Sequence, residues 1–242
     1  MRQGGLRTLR NILVVTAAFV LGALAQSGGL LSAVLGYWPD VSYLSRQHLA
    51  LAAASGAIAI AVGVPLGVLL TRGPIRRWAP VIMQVAGLGT TVPTLAVLAI
   101  AMTFLGLGTA PTLFGLAFLT LLPVMLNTVS GLRSVPPHLI EAARGMGMTG
   151  WQTLCSVELP NAAFVIMAGI RTALAINIGT VPLAFLIGGG GLGELIFTGI
   201  DLMEPAMLLA GALSTALLAV LVDALVAAAQ HWLVPRGVNP LR

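Results

Sequence analysis

Ser134–Pro160 reads SVPPHLIEAARGMGMTGWQTLCSVELP, and the fold turns on it. It is polar and glycine-hinged, and long apolar runs flank it. Ser134 suits an N-cap, and Pro136 and Pro137 suit the first helical positions. A short helix is therefore predicted from His138 to Arg144, with Glu141 and Arg144 one turn apart and able to pair. Gly145 and Gly147 end it, since glycine takes the left-handed conformation without a Cβ penalty. Thr149 and Gln152 have the spacing of a capping box, which starts a second short helix over Gly150–Val157. Leu159-Pro160 closes that helix. Three readings compete: a solvated helical loop, a DNA-binding helix-turn-helix, and a knob that docks a partner protein. A helix-turn-helix needs a core of its own, which a stretch between two membrane spans lacks.

Composition sets the class. Hydrophobic residues make up 58% of the 242 and charged residues 8%, with a mean hydropathy of +1.01. A soluble domain carries roughly a quarter charged residues. The chain reads as an all-α, polytopic integral membrane protein forming one domain over residues 1–242. All twelve basic residues are arginine. A phosphate-binding P-loop needs a lysine, so the chain does not hydrolyse ATP by that route. The net charge of +5 is dispersed along the chain, which argues against nucleic acid. The single Cys155 forms no disulfide within the chain, and His48, His138 and His231 are too scattered for a zinc site.

Six spans are predicted: residues 12–35, 48–70, 79–105, 111–132, 161–187 and 205–233, with 134–160 as a loop. Residues 12–35 number 24, about 36 Å as a helix, enough to cross a bilayer with tilt. Ala23-Leu24-Ala25 also resembles a signal-peptidase site, so a cleaved leader is the competing reading. In the second span, Gly56, Gly63 and Gly67 permit close helix contact, and Pro65 should kink it. Gly87, Gly89 and Pro93 interrupt the third span, with Thr90 and Thr91 at the break. Broken backbone at membrane depth is tolerated when buried in protein or lining a water-filled path.

Arginine placement gives the orientation. With the N-terminus inside, ten arginines fall on the inner side, only Arg46 outside, and Arg171 within a span. Both termini and the 134–160 loop are then expected on the cytoplasmic side. Tyr37, Trp38, Tyr43, Trp78, Trp151 and Trp232 sit at or beyond span ends, as interfacial aromatics do. None is left in mid-span to form an aromatic cage.

Gly188–Gly193, GGGGLG, satisfies the spacing of a dinucleotide fingerprint but has no βαβ context. It reads instead as a tight reversal between spans five and six. Glu194, Asp201 and Glu204 come after it on the outer side, as a docking surface or a plain solvated loop. Arg171 and Asp223 each cost at least ~2.5 kcal/mol if unpaired at the bilayer centre. Their similar depth on sequential helices suggests an ion pair; the alternative is that each reaches water alone. Thr90, Thr91, Asn127, Asn177 and Thr180 are candidates to line a translocation path, or to bond between helices.

Glu141-Ala142-Ala143, three residues, Gly147, nine residues, and Val157-Glu158-Leu159-Pro160 resemble the EAA loop of bacterial ABC importer permeases. Valine for isoleucine at 157 is the one departure. The resemblance implies a type I ABC importer fold, lying in a bacterial cytoplasmic (inner) membrane. It also implies that Glu141, Ala142, Ala143, Arg144, Gly145, Met146 and Gly147 belong to a coupling helix that docks on an ATPase subunit. IEAARGMGMT, VELPNAAFVIMAGIRTALAINIGT, IGGGGLGELIFTGI and GVPLGVLLTR are similar to permeases for osmoprotectants such as glycine betaine, choline and carnitine. QVAGLGTTVPTLA in span three is a looser match. The implied partners are the ATPase, which binds ATP and Mg²⁺, a second permease of the same or a related chain, a periplasmic or lipid-anchored binding protein, and lipid. No cofactor is implied in this chain.

Other classes compete with this one. A permease for another solute, such as methionine or another amino acid, would share the loop. An ion-coupled secondary transporter usually needs intramembrane acids, and only Asp223 qualifies. A membrane enzyme needs paired acids, a His cluster or a Ser-His arrangement, and the spans offer none.

Overall fold

The computed structural model describes residues 29–89, 91–235 and 237–238, together with residues 12, 16, 20 and 22. The expected first span, 12–35, falls largely outside the described residues, and so does Thr90. Among the described residues all regular structure is helical. The order is α1 (Leu30–Gly36), α2 (Trp38–Leu69), α3 (Ala79–Gly89), α4 (Thr94–Leu105), α5 (Thr109–Arg133), α6 (Pro137–Gly145), α7 (Gly150–Thr153), α8 (Leu159–Thr180), α9 (Gly193–Asp201) and α10 (Pro205–Leu233). Short 3₁₀ turns cover Gly73–Arg77 and Val181–Ile187, and a π turn covers Leu154–Glu158.

Among the described residues, four helical stretches are long and apolar enough to cross a membrane: Trp38–Leu69, Thr109–Arg133, Gly150–Ile187 and Pro205–Leu233. The pair α3 and α4, bent by 94°, makes a fifth if it counts as one span. Pro93 caps α4 in an extended conformation, so the interruption read from the sequence is a full break.

Three boundaries differ from the sequence reading. Helix α2 begins at Trp38 rather than His48, because Pro39 and Asp40 in its first turn make a favourable start for the polar segment up to His48. Leu159-Pro160 does not close a helix: α7, the π turn and α8 run on without a break. After the glycine-rich reversal comes a further helix, α9, where the sequence reading has only a loop. Gly188, Gly190 and Gly191 all have positive φ, which makes that reversal possible.

Small residues let the long helices approach. A Cβ on Gly67 would lie 2.6 Å from the Thr128 Cβ, so α2 and α5 meet there at backbone distance. A Cβ on Gly169 would collide with the Asn127 side chain, which fixes α8 against α5. Gly56, by contrast, faces Leu174 on α8, so α2 uses its glycines against two neighbours. Leu132, Val135, Leu154, Ala162 and Ile166 form a buried cluster at the end where α2 finishes, with Val64, Val68 and Ile140 packed on it. That cluster anchors the loop after α5.

Candidate functional site

Helix α6 starts at Pro137 with Pro136 as its N-cap. Ser134 is not that cap. Its hydroxyl donates to the Gly131 carbonyl at 2.8 Å and finishes α5 instead. The physical reason is that each of two consecutive prolines pushes the residue before it out of the helical region, so the helix restarts only at Pro137. The C-terminus of α6 is a Schellman motif. The Met148 N–H donates to the Ala143 carbonyl at 3.1 Å, and the Gly147 N–H to the Arg144 carbonyl at 2.9 Å. Gly147, at φ 78°, is the left-handed residue; Gly145 is still helical.

The capping box then forms. The Gln152 N–H donates to the Thr149 hydroxyl at 3.3 Å, and the Thr149 N–H donates to Gln152 Oε1 at 2.8 Å. The chain reaches Pro160 through the π turn, where the Leu159 N–H bonds to the Leu154 carbonyl. A proline in a plain α-helix clashes with the carbonyl four residues back. The wider turn just before Pro160 accommodates that ring without ending the helix.

Only Ala143 of the EAA triplet is buried, inside the turn of α6. Glu141, Ala142, Arg144, Gly145, Met146 and Gly147 are all exposed, and so is Trp151. Among the described residues Glu141 and Arg144 form no ion pair with each other. The element is thus an exposed knob, closed at its C-terminus by the Schellman bonds and seated through Ile140 on the buried cluster around Leu154.

An ion pair that the sequence did not reveal ties this knob to another loop. Arg72, just after α2, donates through Nη1 to Glu158 Oε1 at 3.0 Å and through Nη2 to Oε2. Glu158 is buried in the π turn. The available signal was weak: both residues lie beside span ends, 86 positions apart.

Arg171 and Asp223 meet on a half-exposed face of the bundle. Arg171 Nε and Nη2 donate to Asp223 Oδ1 and Oδ2, each at 2.5 Å, joining α8 to α10. The path candidates scatter. Asn177 is buried, and its amide donates to Ser55 Oγ at 2.8 Å and to the Ala52 carbonyl at 3.0 Å, bridging α8 and α2. Asn127 donates to the Pro123 carbonyl at 2.8 Å within its own helix. Thr180 bonds back to the Ile176 carbonyl, and exposed Thr91 to that of Leu88.

His48 escaped the sequence reading. It is fully buried, and its Nε2–H donates to the Ile178 carbonyl at 3.0 Å. That carbonyl lacks its helical partner because Pro182, four residues on, has no N–H. Next to it, the Gly191 N–H donates to Gln47 Oε1 at 3.2 Å, so α2 also holds the glycine-rich reversal.

This arrangement has known relatives. The chain is 50% identical over 188 residues to the osmoprotectant import permease protein OsmY of Salmonella typhimurium, across 78% of this chain and 80% of that protein. It is 42% identical over 196 residues to the carnitine transport permease protein OpuCB of Listeria monocytogenes, across 81% and 89%. In architecture it resembles the crystal structure of an amino acid ABC transporter with histidines, at a TM-score of 0.69 and 18% identity, covering 86% of this chain and all of that one. Residues 63–237 match the family described as binding-protein-dependent transport system inner membrane component, and the chain belongs to that family.

Proposed function

We propose that this chain is the membrane-spanning subunit of an ATP-driven importer for a quaternary ammonium osmoprotectant such as glycine betaine, choline or carnitine. The exposed knob Glu141–Gly147, closed at its C-terminus by the Schellman bonds and followed by the capped start of the run that leads through the π turn into α8, is the observation that best supports the coupling role. The names of the osmoprotectant and carnitine permeases it is similar to support the substrate class.

In this reading both termini and the knob face the cytoplasm, and the chain has no ATPase site. Two permease subunits form the pore. ATP and Mg²⁺ bind the partner ATPase, whose closure draws the two knobs together. The spans rock, the outer side opens to a loaded binding protein, and hydrolysis resets the pore. Selection by cation–π contact belongs to the binding protein. Thr91, Asn127 and Thr180, whose side chains bond back to carbonyls of their own segments, fit the path better than Asn177, which holds α8 to α2.

The experiment is uptake of radiolabelled glycine betaine into proteoliposomes holding permease, ATPase and binding protein, with choline, carnitine and methionine as competitors. ATP-dependent uptake blocked by the quaternary amines is expected. Uptake blocked by methionine alone, or driven by an ion gradient without ATP, would overturn the reading.

A further inference from the structure

A polar cavity of about 900 Å³ lies between the end of α2, the end of α5 and α6. Arg72, Arg76, Arg133 and Arg144 line it, with Glu141 and Glu158. Arg72 and Glu158 neutralise one another. Three arginines then face one carboxylate, and among the described residues none of these four is in an ion pair. The cavity therefore carries a surplus of positive charge. Arg72 adds a second demand. Both of its Nη atoms serve Glu158, while its Nε is buried without an acceptor. A buried donor of this kind needs an anionic or carbonyl oxygen, or water.

The surroundings indicate which anion. Leu69 and Arg133 end two membrane helices here. Exposed Trp78 stands close by in the chain, with the Arg77 guanidinium 5.8 Å from its ring centroid. Aromatic and basic groups combine in this way at headgroup depth. Further along α5, from Met125 about two turns before Arg133, runs an apolar groove of about 450 Å³ between α3 and α5, lined by Val81, Val85, Phe118, Leu122 and Met125. A basic cavity beside an apolar groove matches an amphiphile better than a free anion or an acidic protein segment.

We infer that the cavity seats the phosphodiester headgroup of an anionic phospholipid, with an acyl chain along the α3–α5 groove. Only the leaflet, the inner one, rests on the orientation given under Proposed function. The lipid would then bridge the end of α2 and the knob, so membrane charge would bear on coupling.

The test uses the permease bound to its ATPase in nanodiscs of phosphatidylcholine with graded phosphatidylglycerol, and native mass spectrometry to count retained phosphatidylglycerol. The wild-type complex should retain it, and Arg76→Gln with Arg133→Gln should weaken retention about fivefold per arginine. Arg76→Gln alone, which leaves the knob untouched, should weaken it about fivefold. This second variant keeps the question answerable if the double variant fails to assemble. Equal retention in all three complexes overturns the proposal. Displacement of the lipid by millimolar inorganic phosphate overturns it in favour of a free-anion site. Retention only after the ATPase is stripped away overturns it in favour of a protein occupant. Labelling of Ser134→Cys in a Cys155→Ser background reports the side of the membrane separately, so a wrong leaflet is distinguishable from a missing site.

Discussion

Arg72 and Glu158, 86 positions apart, hold each other through both guanidinium Nη atoms, and so fasten the loop after α2 to the turn that leads into α8. Glu158 is the buried member. Glu158→Ala should destabilise the complex by about 1–3 kcal/mol, because Arg72 is left half-buried without its partner. Adding Arg72→Ala should recover part of that loss. Thermal melting of the purified complex measures both; equal and additive losses would show that the pair contributes nothing.

Glu141→Lys should abolish uptake while the protein remains in the membrane and folded, since Glu141 is exposed on the knob and its carboxylate is in no ion pair among the described residues. Gly147→Val should act differently, by breaking the knob itself. A left-handed valine costs about 1–2 kcal/mol, and the Schellman bonds depend on that conformation. Pull-down of the ATPase together with uptake separates the two: both variants lose binding, but only Gly147→Val exposes the loop to limited proteolysis.

Arg171→Ala or Asp223→Ala leaves one charge unpaired, at a cost of at least ~2.5 kcal/mol if it lies at the bilayer centre. The exchange Arg171→Asp with Asp223→Arg should restore expression and uptake above either single variant. A swap no better than the singles would show that each side chain meets water alone.

Gly169→Val should prevent folding, because its Cβ would overlap Asn127; overpacking of this kind costs about 1–3 kcal/mol or more. Gly179→Ala on the same helix meets nothing within 4 Å and should be neutral. Yield of monodisperse protein distinguishes them.

His48→Leu should cost about 1–3 kcal/mol by orphaning the Ile178 carbonyl. Pro182→Ala supplies a backbone N–H to the same carbonyl and should offset part of the loss. Melting of the double variant checks it.

Much of this architecture was legible in the sequence. The long apolar runs that became α5 and α10, the capping box at Thr149 and the interruption at Pro93 were all readable from local chemistry. The relation to importer permeases was readable from the EAA spacing. Boundaries that depend on the neighbouring segment were harder. Pro160 normally ends a helix, and only the π turn before it, which has no sequence signature, carries the chain through. Ser134 has the chemistry of a cap for either neighbour, and the paired prolines decided which. Arg72–Glu158 and His48–Ile178 are meetings between distant segments. The second could have been suspected, since Pro182 predictably strips a partner from the carbonyl four residues before it.

The run Gly150–Ile187 is 38 residues without interruption, about 57 Å at a helical rise. Its π turn holds one residue more than the same turn of an α-helix. That surplus sets the angular phase between Trp151 at one end and Arg171 in the middle. Deleting a single residue there would leave both ends intact yet swing one against the other by about 100°. A chain built this way tolerates changes of side chain in the turn far better than changes of length, and its relatives should vary in the first and not in the second.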